Sequence, residues 1–248
     1  MITEKFYQDG SYLRNNPDWH ASAAPWKTQS ILQTLQRNGL TPHTICEIGC
    51  GAGEILYLLQ QHLPETCIFE GYDIAPHAIE LARKHENTCL RFHLADFLTA
   101  PETQPNYFDV LLLIDTLEHF ENCFQVLREI KPKSQYKIFQ LPLDISVVTV
   151  LRNQLIEFHY ATGHLHFFTK DIALQMLREA GYEILDTFYT LPPLDMNPWS
   201  PKPQQLARKL VRVTKRGLQR LPGNLLYCVH HDLAVRFFGG WRLMVLAQ

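Results

Sequence analysis

The chain has 248 residues, 46% hydrophobic and 19% charged, which is enough apolar material for one substantial core and argues against disorder. No run of 18 apolar residues occurs, so a membrane-spanning helix is not expected. The start, MITEKFYQDGSYLRNN, carries acids and has no apolar secretory segment, so the expected compartment is cytoplasmic. The net charge of −2 conceals an asymmetry: residues 201–248 hold nine Lys/Arg against the single acid Asp232, and residues 1–200 hold fourteen Lys/Arg against twenty-four acids. Six cysteines, at 46, 50, 67, 89, 123 and 228, form no CxxC pair. They read as small buried hydrophobes in a reducing compartment, with neither a zinc site nor a disulfide framework.

The first 28 residues are aromatic and irregular, with Phe6, Tyr7, Tyr12, Trp19 and Trp26. From Pro25 to Gln36 the pattern is helical, with Ile31, Leu32 and Leu35 on one face and Asn38-Gly39 as the C-cap. Strands and helices then alternate. Strands are expected at Thr44–Ile48, Thr66–Tyr72, Thr88–Leu94, Tyr107–Ile114 and Gln135–Leu141, with helices at Glu54–His62, Pro76–Lys84 and Glu121–Ile130 between them. The near-continuous apolar run at 107–114 suits a strand covered on both faces. Residues 142–168 break the rhythm as an insertion with a helix around 146–157. A helix capped by Thr169 ends at Ala180-Gly181, and Tyr182–Thr190 is the next strand. A proline-rich loop at 191–203, a basic helix at Gln204–Arg220 and a final strand at Trp241–Leu246 complete the chain. The β-α-β rhythm implies a parallel sheet between helical layers.

The segment ICEIGCGAGE (45–54) places a glycine-rich turn between a strand and a helix, where a ligand can approach backbone closely. Its spacing is G-x-G-x-G, with Glu54 where a dinucleotide binder prefers a third glycine. A pyrophosphate gains nothing from Glu47 beside that turn; a ligand with an amino group and positive charge does. Asp73 closes the second strand and can accept both hydroxyls of a ribose. Asp96-Phe97 follows the third strand, an acid for an exocyclic amine and a ring to pack on a base.

These stretches, together with GYDIAPHAIELAR, LADF and FDVLLLIDTLEHFEN, resemble the class I S-adenosylmethionine-dependent methyltransferases over roughly residues 40–190. Within them the chain looks closest to the small-molecule group that includes the ubiquinone-biosynthesis O-methyltransferases. The later GHLHFFTKDIALQMLREAGYEI resembles the same group. The resemblance implies a Rossmann-like three-layer α/β sandwich, its mainly parallel seven-stranded sheet ending in an antiparallel strand. The expected organisation is an N-terminal helical cap or lid at 1–40 and a methyltransferase domain at 41–248, with insertions at about 142–168 and 191–235; the N-terminal segment and the 142–168 insertion are expected to cover the substrate, because insertions near strand ends build specificity. The cofactor would be S-adenosylmethionine. Glu47, Gly49, Cys50, Gly51 and Gly53 would line its methionine half, Asp73 and Ile74 the ribose, Asp96 and Phe97 the adenine, and Ile114 and Asp115 the sulfonium.

His119 is the candidate general base for a hydroxyl acceptor, because its free pKa lies near neutrality. No metal is assigned. Asp115, Glu118 and His119 are weak candidates, since spacings of three and four residues would bring them to one face of a helical turn. Some relatives with Glu-x-x-Glu-His bind a magnesium-type ion there, and here a shorter Asp stands first. His164 or His166 could add a ligand from the insertion, or only order the loop before Phe167-Phe168. The expected acceptor is a small molecule, sugar or lipid-like compound, with oxygen favoured. Nucleic acid is not expected, since no base-amine methylation motif follows the fourth strand. The basic stretch 204–220 could meet an anionic membrane or be a solvated helix face. An NAD-type oxidoreductase and a noncatalytic S-adenosylmethionine-binding protein stay open as alternatives, and so does the oligomeric state.

Overall fold

The computed structural model describes residues 19, 21–99, 107–193, 217 and 220–248. Among them, seven strands form one sheet: β1 (Thr44–Ile48), β2 (Ile68–Asp73), β3 (Leu90–Leu94), β4 (Phe108–Ile114), β5 (Ser134–Pro142), β6 (Ile184–Thr190) and β7 (Arg242–Ala247). Their order is β3-β2-β1-β4-β5-β7-β6. β7 runs antiparallel to both neighbours, β5 and β6, and the pairs among β1 to β5 are parallel. The Rossmann-like sandwich with one antiparallel strand is therefore as the sequence implies.

The helices are α1 (Ala24–Arg37), α2 (Glu54–Gln60), α3 (Pro76–Ala82), α4 (Cys123–Ile130), α5 (Val147–Leu151), α6 (Gln154–Thr162), α7 (Lys170–Glu179), α8 at 220–229 and α9 (His231–Phe238). Alternation along the strands sorts side chains into two cores. Leu111 and Leu113 of β4 join α4, α7 and α9 on one face; Val110, Leu112 and Ile114 join α1, α2 and α3 on the other. Both faces are thus covered, which explains the uninterrupted apolar run of β4.

Two features place the site. The chain winds outward from β1 through β2 to β3, then returns to β4 on the other side of β1, so the sheet has its switch point between the carboxyl ends of β1 and β4. Arg37, at the end of α1, grips Asp186 of β6 with two hydrogen bonds of 2.8 and 2.9 Å. Asn38 adds a third to the same carboxylate. This fixes one end of α1, and its first turns reach the switch point.

Several sequence expectations need correction. The single helix expected around 146–157 is two, because Asn153 takes a left-handed conformation (φ 53) that short polar side chains tolerate and a helix does not. A capping box between Ser146 and Thr149 starts the first of them. Of the six cysteines, all free, Cys89 is half-buried and Cys228 exposed, so the buried reading holds for four. The basic helix expected at 204–220 falls outside the described residues apart from Gly217 and Arg220, which are helical. Of the expected lid, residues 1–18 and 20 lie outside them, as does most of the loop at 191–203.

Candidate active site

The turn after β1 is built by its own backbone. The N–H groups of Gly49 and Cys50 both donate to the carbonyl of Tyr72 on β2, at 2.8 and 3.1 Å. The N–H of Gly51 donates to Asp73 Oδ2 at 2.9 Å, and that of Ala75 to Oδ1 at 2.8 Å. Asp73 therefore braces the glycine turn as well as facing the cavity. Burial raises its carboxyl above the ordinary value, against the pull of those N–H groups.

A cavity of about 310 Å³ opens beside this turn, within the size range of small-ligand sites. Its wall includes Glu47, Gly49, Cys50, Gly51, Asp73, Ile74, Asp96, Phe97, Ile114, Asp115 and His119. Gly53 is the exception among the residues expected there. It has φ 78, and a Cβ on it would come within 2.5 Å of Phe92 Cζ. Its missing side chain serves helix–sheet packing rather than ligand approach, a distinction that spacing alone does not show.

Glu47 is 1% exposed, and its Oε2 has no hydrogen-bond partner in the protein. Burial pushes its carboxyl up to about 8, with Lys27 opposing and Asp73 adding to the rise. A buried acceptor on a cavity wall without a protein partner fits a ligand that brings an N–H donor. Phe97 is almost fully buried and meets the ring of Tyr72 edge-on, with centroids 5.1 Å apart. Asp96 Oδ1 accepts from Leu98 N–H at 3.0 Å.

Asp115 is held differently. Its backbone is left-handed (φ 50). Lys27 Nζ lies 2.9 Å from Oδ2, and Arg242 Nε 3.1 Å from Oδ1. Burial alone would raise this carboxyl, but the two cations outweigh it and hold Asp115 well below the usual carboxylate range. Sequence reading missed both cations. Lys27 carried a signal, because Ala24, Ile31 and Leu35 around it form the buried face of α1. Arg242 carried none; it reaches Asp115 only because β7 pairs with β5, Arg242 opposite Pro142.

This arrangement corrects the metal candidates. Asp115 does not share a helical turn with Glu118 and His119, because the 3-10 turn begins at Leu117 and Asp115 is engaged by Lys27 and Arg242. The residues gathered instead are Glu118, His119 and His164, whose ligand atoms lie within 4.8 Å of one another. Glu118 is fully buried, and neither of its carboxylate oxygens has a hydrogen-bond partner in the protein. His164 Nε2 and His119 Nε2 stand 3.8 and 3.9 Å from Glu118 Oε1. His119 Nδ1 donates to the carbonyl of Gly163 at 3.1 Å, and His164 Nδ1 meets Asp144 Oδ2 at 2.7 Å. With its Nδ1 hydrogen committed to a carbonyl, a neutral His119 keeps a lone pair on Nε2. Burial pushes Glu118 up to about 8; His164 opposes this and Asp115 adds to it. Burial lowers His164, but its bond to Asp144 and the nearby Glu118 win, and its value is raised. His166 takes the ordering role, donating from Nε2 to the Phe120 carbonyl at 2.8 Å.

Residues 42–155 match the family model described as Methyltransferase domain. That stretch, which runs from just before β1 into α6, is similar to a methyltransferase domain. No curated protein matches the sequence. Among solved structures, the plantazolicin methyltransferase BpumL, with a monoazolic desmethylPZN analogue and SAH, is 17% identical at a TM-score of 0.57, covering 99% of this chain and 93% of its own. Magnesium protoporphyrin IX methyltransferase from Synechocystis PCC 6803, with SAH, is 15% identical at 0.58, covering 100% and 97%. The [4+2]-cyclase SpnF is 14% identical at 0.56, covering 89% and 80%. At such identities the likeness is one of fold, and the last of these carries a different chemistry on it.

Proposed function

We propose that the chain moves the methyl group of S-adenosylmethionine to an oxygen of a small-molecule, sugar or lipid-like acceptor. In this reading the methionine ammonium meets the unpartnered oxygen of Glu47, the ribose meets Asp73 beside Ile74, and the adenine packs near Phe97 with its amine toward Asp96. The sulfonium lies by Ile114 and Asp115. The sulfonium is already an activated donor, so the protein must align the acceptor and take its proton. One observation carries the preference for oxygen: a titratable imidazole, His119, stands on the cavity wall with its ring oriented by the bond from Nδ1 to the Gly163 carbonyl. The resemblance to the ubiquinone-biosynthesis O-methyltransferases supports the same preference. The test is transfer of labelled methyl from S-adenosylmethionine into a fractionated cell extract, with the product's new bond identified. A methyl ether or ester supports the reading, and N-methyl products alone would end it.

A second reading rests on the two unpartnered oxygens of Glu118 beside two imidazole nitrogens. Glu118, His119 and His164 would hold a divalent ion, with Asp144 and the Gly163 carbonyl fixing the rings from behind. Such an ion would lower the pKa of a bound acceptor hydroxyl. Metal content of the purified protein, compared with that of His164→Ala, separates the readings. Stoichiometric metal lost in the variant favours the ion, and a metal-free active protein favours His119 as base.

A further inference from the structure

Arg242 has more hydrogen-bonding capacity than the fold uses. It is the first residue of β7, opposite Pro142, the last of β5, and Thr190, the last of β6. It therefore stands at the carboxyl edge of the sheet, where the cavity opens. Met244 and Leu246, two and four residues on, pack in the core shared with α1, so alternation turns Arg242 to that same face.

A guanidinium carries five N–H donors in a planar fork. Arg242 spends its Nε on Asp115 Oδ1 at 3.1 Å. Among the described residues its two Nη atoms have no hydrogen-bond partner, although the side chain is only 20% exposed. Asp144 and Glu118 are the other acids that act on it, and both have nearer neighbours. Asp144 is paired with His164 at 2.7 Å, and Glu118 faces the imidazoles of His164 and His119. Thr190 adds a second unspent group. It is 8% exposed, and among the described residues its Oγ1 has no partner. Residues opposite one another on antiparallel strands share a face, so this hydroxyl lies beside Arg242.

Charge leads to the same ligand. Lys27 and Arg242 hold opposite oxygens of one carboxylate, at 2.9 and 3.1 Å, so two cations share the single charge of Asp115. A partly desolvated positive surplus with a free fork of donors is the complement of a carboxylate or phosphate. The cofactor's own carboxylate is a poor candidate. Its methionine half belongs at the turn after β1, and β7 lies three strands away in the order β1-β4-β5-β7, about 14 Å. Asp115, which Arg242 holds, shares the cavity wall with His119, so a group docked on Arg242 and a hydroxyl at His119 can belong to one small acceptor.

We propose that the acceptor carries an acidic group, a carboxylate or a phosphate, which docks on the Nη fork of Arg242 with the Thr190 hydroxyl beside it. On the O-methylation reading, from which this follows, the acceptor's hydroxyl lies at His119 and its acidic end at Arg242.

The test is calorimetric titration of the full chain, saturated with S-adenosylhomocysteine, with benzoate, phenyl phosphate and neutral benzamide. Arg242→Lys keeps a positive charge near Asp115 and loses the fork. Thr190→Val removes a hydroxyl that the fold leaves unpartnered and does not touch the Arg242–Asp115 pair, so its melting temperature should match the parent's. At least one anion should bind where benzamide does not, about tenfold more weakly in Arg242→Lys and about threefold more weakly in Thr190→Val. Equal binding of anions and benzamide, or anion affinity unchanged in both variants, would overturn the proposal. No anion binding to the complex would overturn it too, and a tenfold loss of S-adenosylhomocysteine affinity in Arg242→Lys would then give the fork to the cofactor's carboxylate. The products of labelled methyl transfer separate the two readings. Acidic N-methyl products end the preference for oxygen and keep the fork; neutral O-methyl products keep the oxygen and end the fork.

Discussion

Replacing Lys27 with methionine tests how the N-terminal helix is joined to the site. Lys27 Nζ lies 2.9 Å from Asp115 Oδ2, with side-chain exposures of 11% and 17%. At an effective dielectric of about 20, that separation is worth about 6 kcal/mol of attraction. Desolvation of the two groups takes back several kcal/mol, so the pair's net value is far smaller. Removing one partner of a fully buried pair costs about 3–5 kcal/mol. Here Arg242 still holds the other oxygen of Asp115, which lowers the expected loss to about 2 kcal/mol. Methionine keeps most of the apolar stem, so the change reports on the charge. Urea unfolding of Lys27→Met, Asp115→Asn and the double variant gives the coupling directly, expected at about 1–2 kcal/mol. Additive losses would show that the ion pair does not join α1 to β4, and the reasoning about how the cavity wall is held would fail.

Other outcomes follow from the same geometry. Asp73→Ala should weaken S-adenosylhomocysteine binding more than about tenfold, because it removes the ribose acceptor and the brace on Gly51 together; unchanged affinity by calorimetry would take Asp73 out of the site. His119→Ala should lower the methyl-transfer rate by about a hundredfold while cofactor affinity holds; a normal rate on the true acceptor would rule out the base role. Gly53→Ala should lower stability by about 2–3 kcal/mol, since it combines a left-handed backbone with a contact of 2.5 Å to Phe92. A melting temperature within a degree of the parent would contradict the packing role assigned to this glycine.

The parts of the site legible in the sequence are those that depend on strand ends. Glu47, Asp73 and Asp96 each stand at the end of a parallel strand or just past it, and parallel neighbours bring such positions to one edge. The turn glycines were visible as a group, but what Gly49 and Gly53 face depends on Thr116 and Phe92, far away in sequence. Lys27 and Arg242 were not visible as site residues, because they come from opposite ends of the chain and meet Asp115 only through the packing of α1 and the late insertion of β7 beside β5. Of the two histidines in GHLH, sequence could not choose; the structure places His164 against Asp144 and turns His166 to a backbone carbonyl.

The central claim is that Glu47 receives the cofactor's methionine ammonium. Burial raises its carboxyl to about 8, so the empty site holds a proton at neutral pH. An ammonium beside it favours the ionised form, and binding should then expel that proton. Calorimetry of S-adenosylhomocysteine binding, run in two buffers of different ionisation heat, measures it directly. The account predicts release of close to one proton at pH 7, affinity that rises from pH 6 to 8 by up to about tenfold per unit, and loss of both effects in Glu47→Gln. Binding with no proton released, at an affinity that Glu47→Gln leaves unchanged, would contradict it.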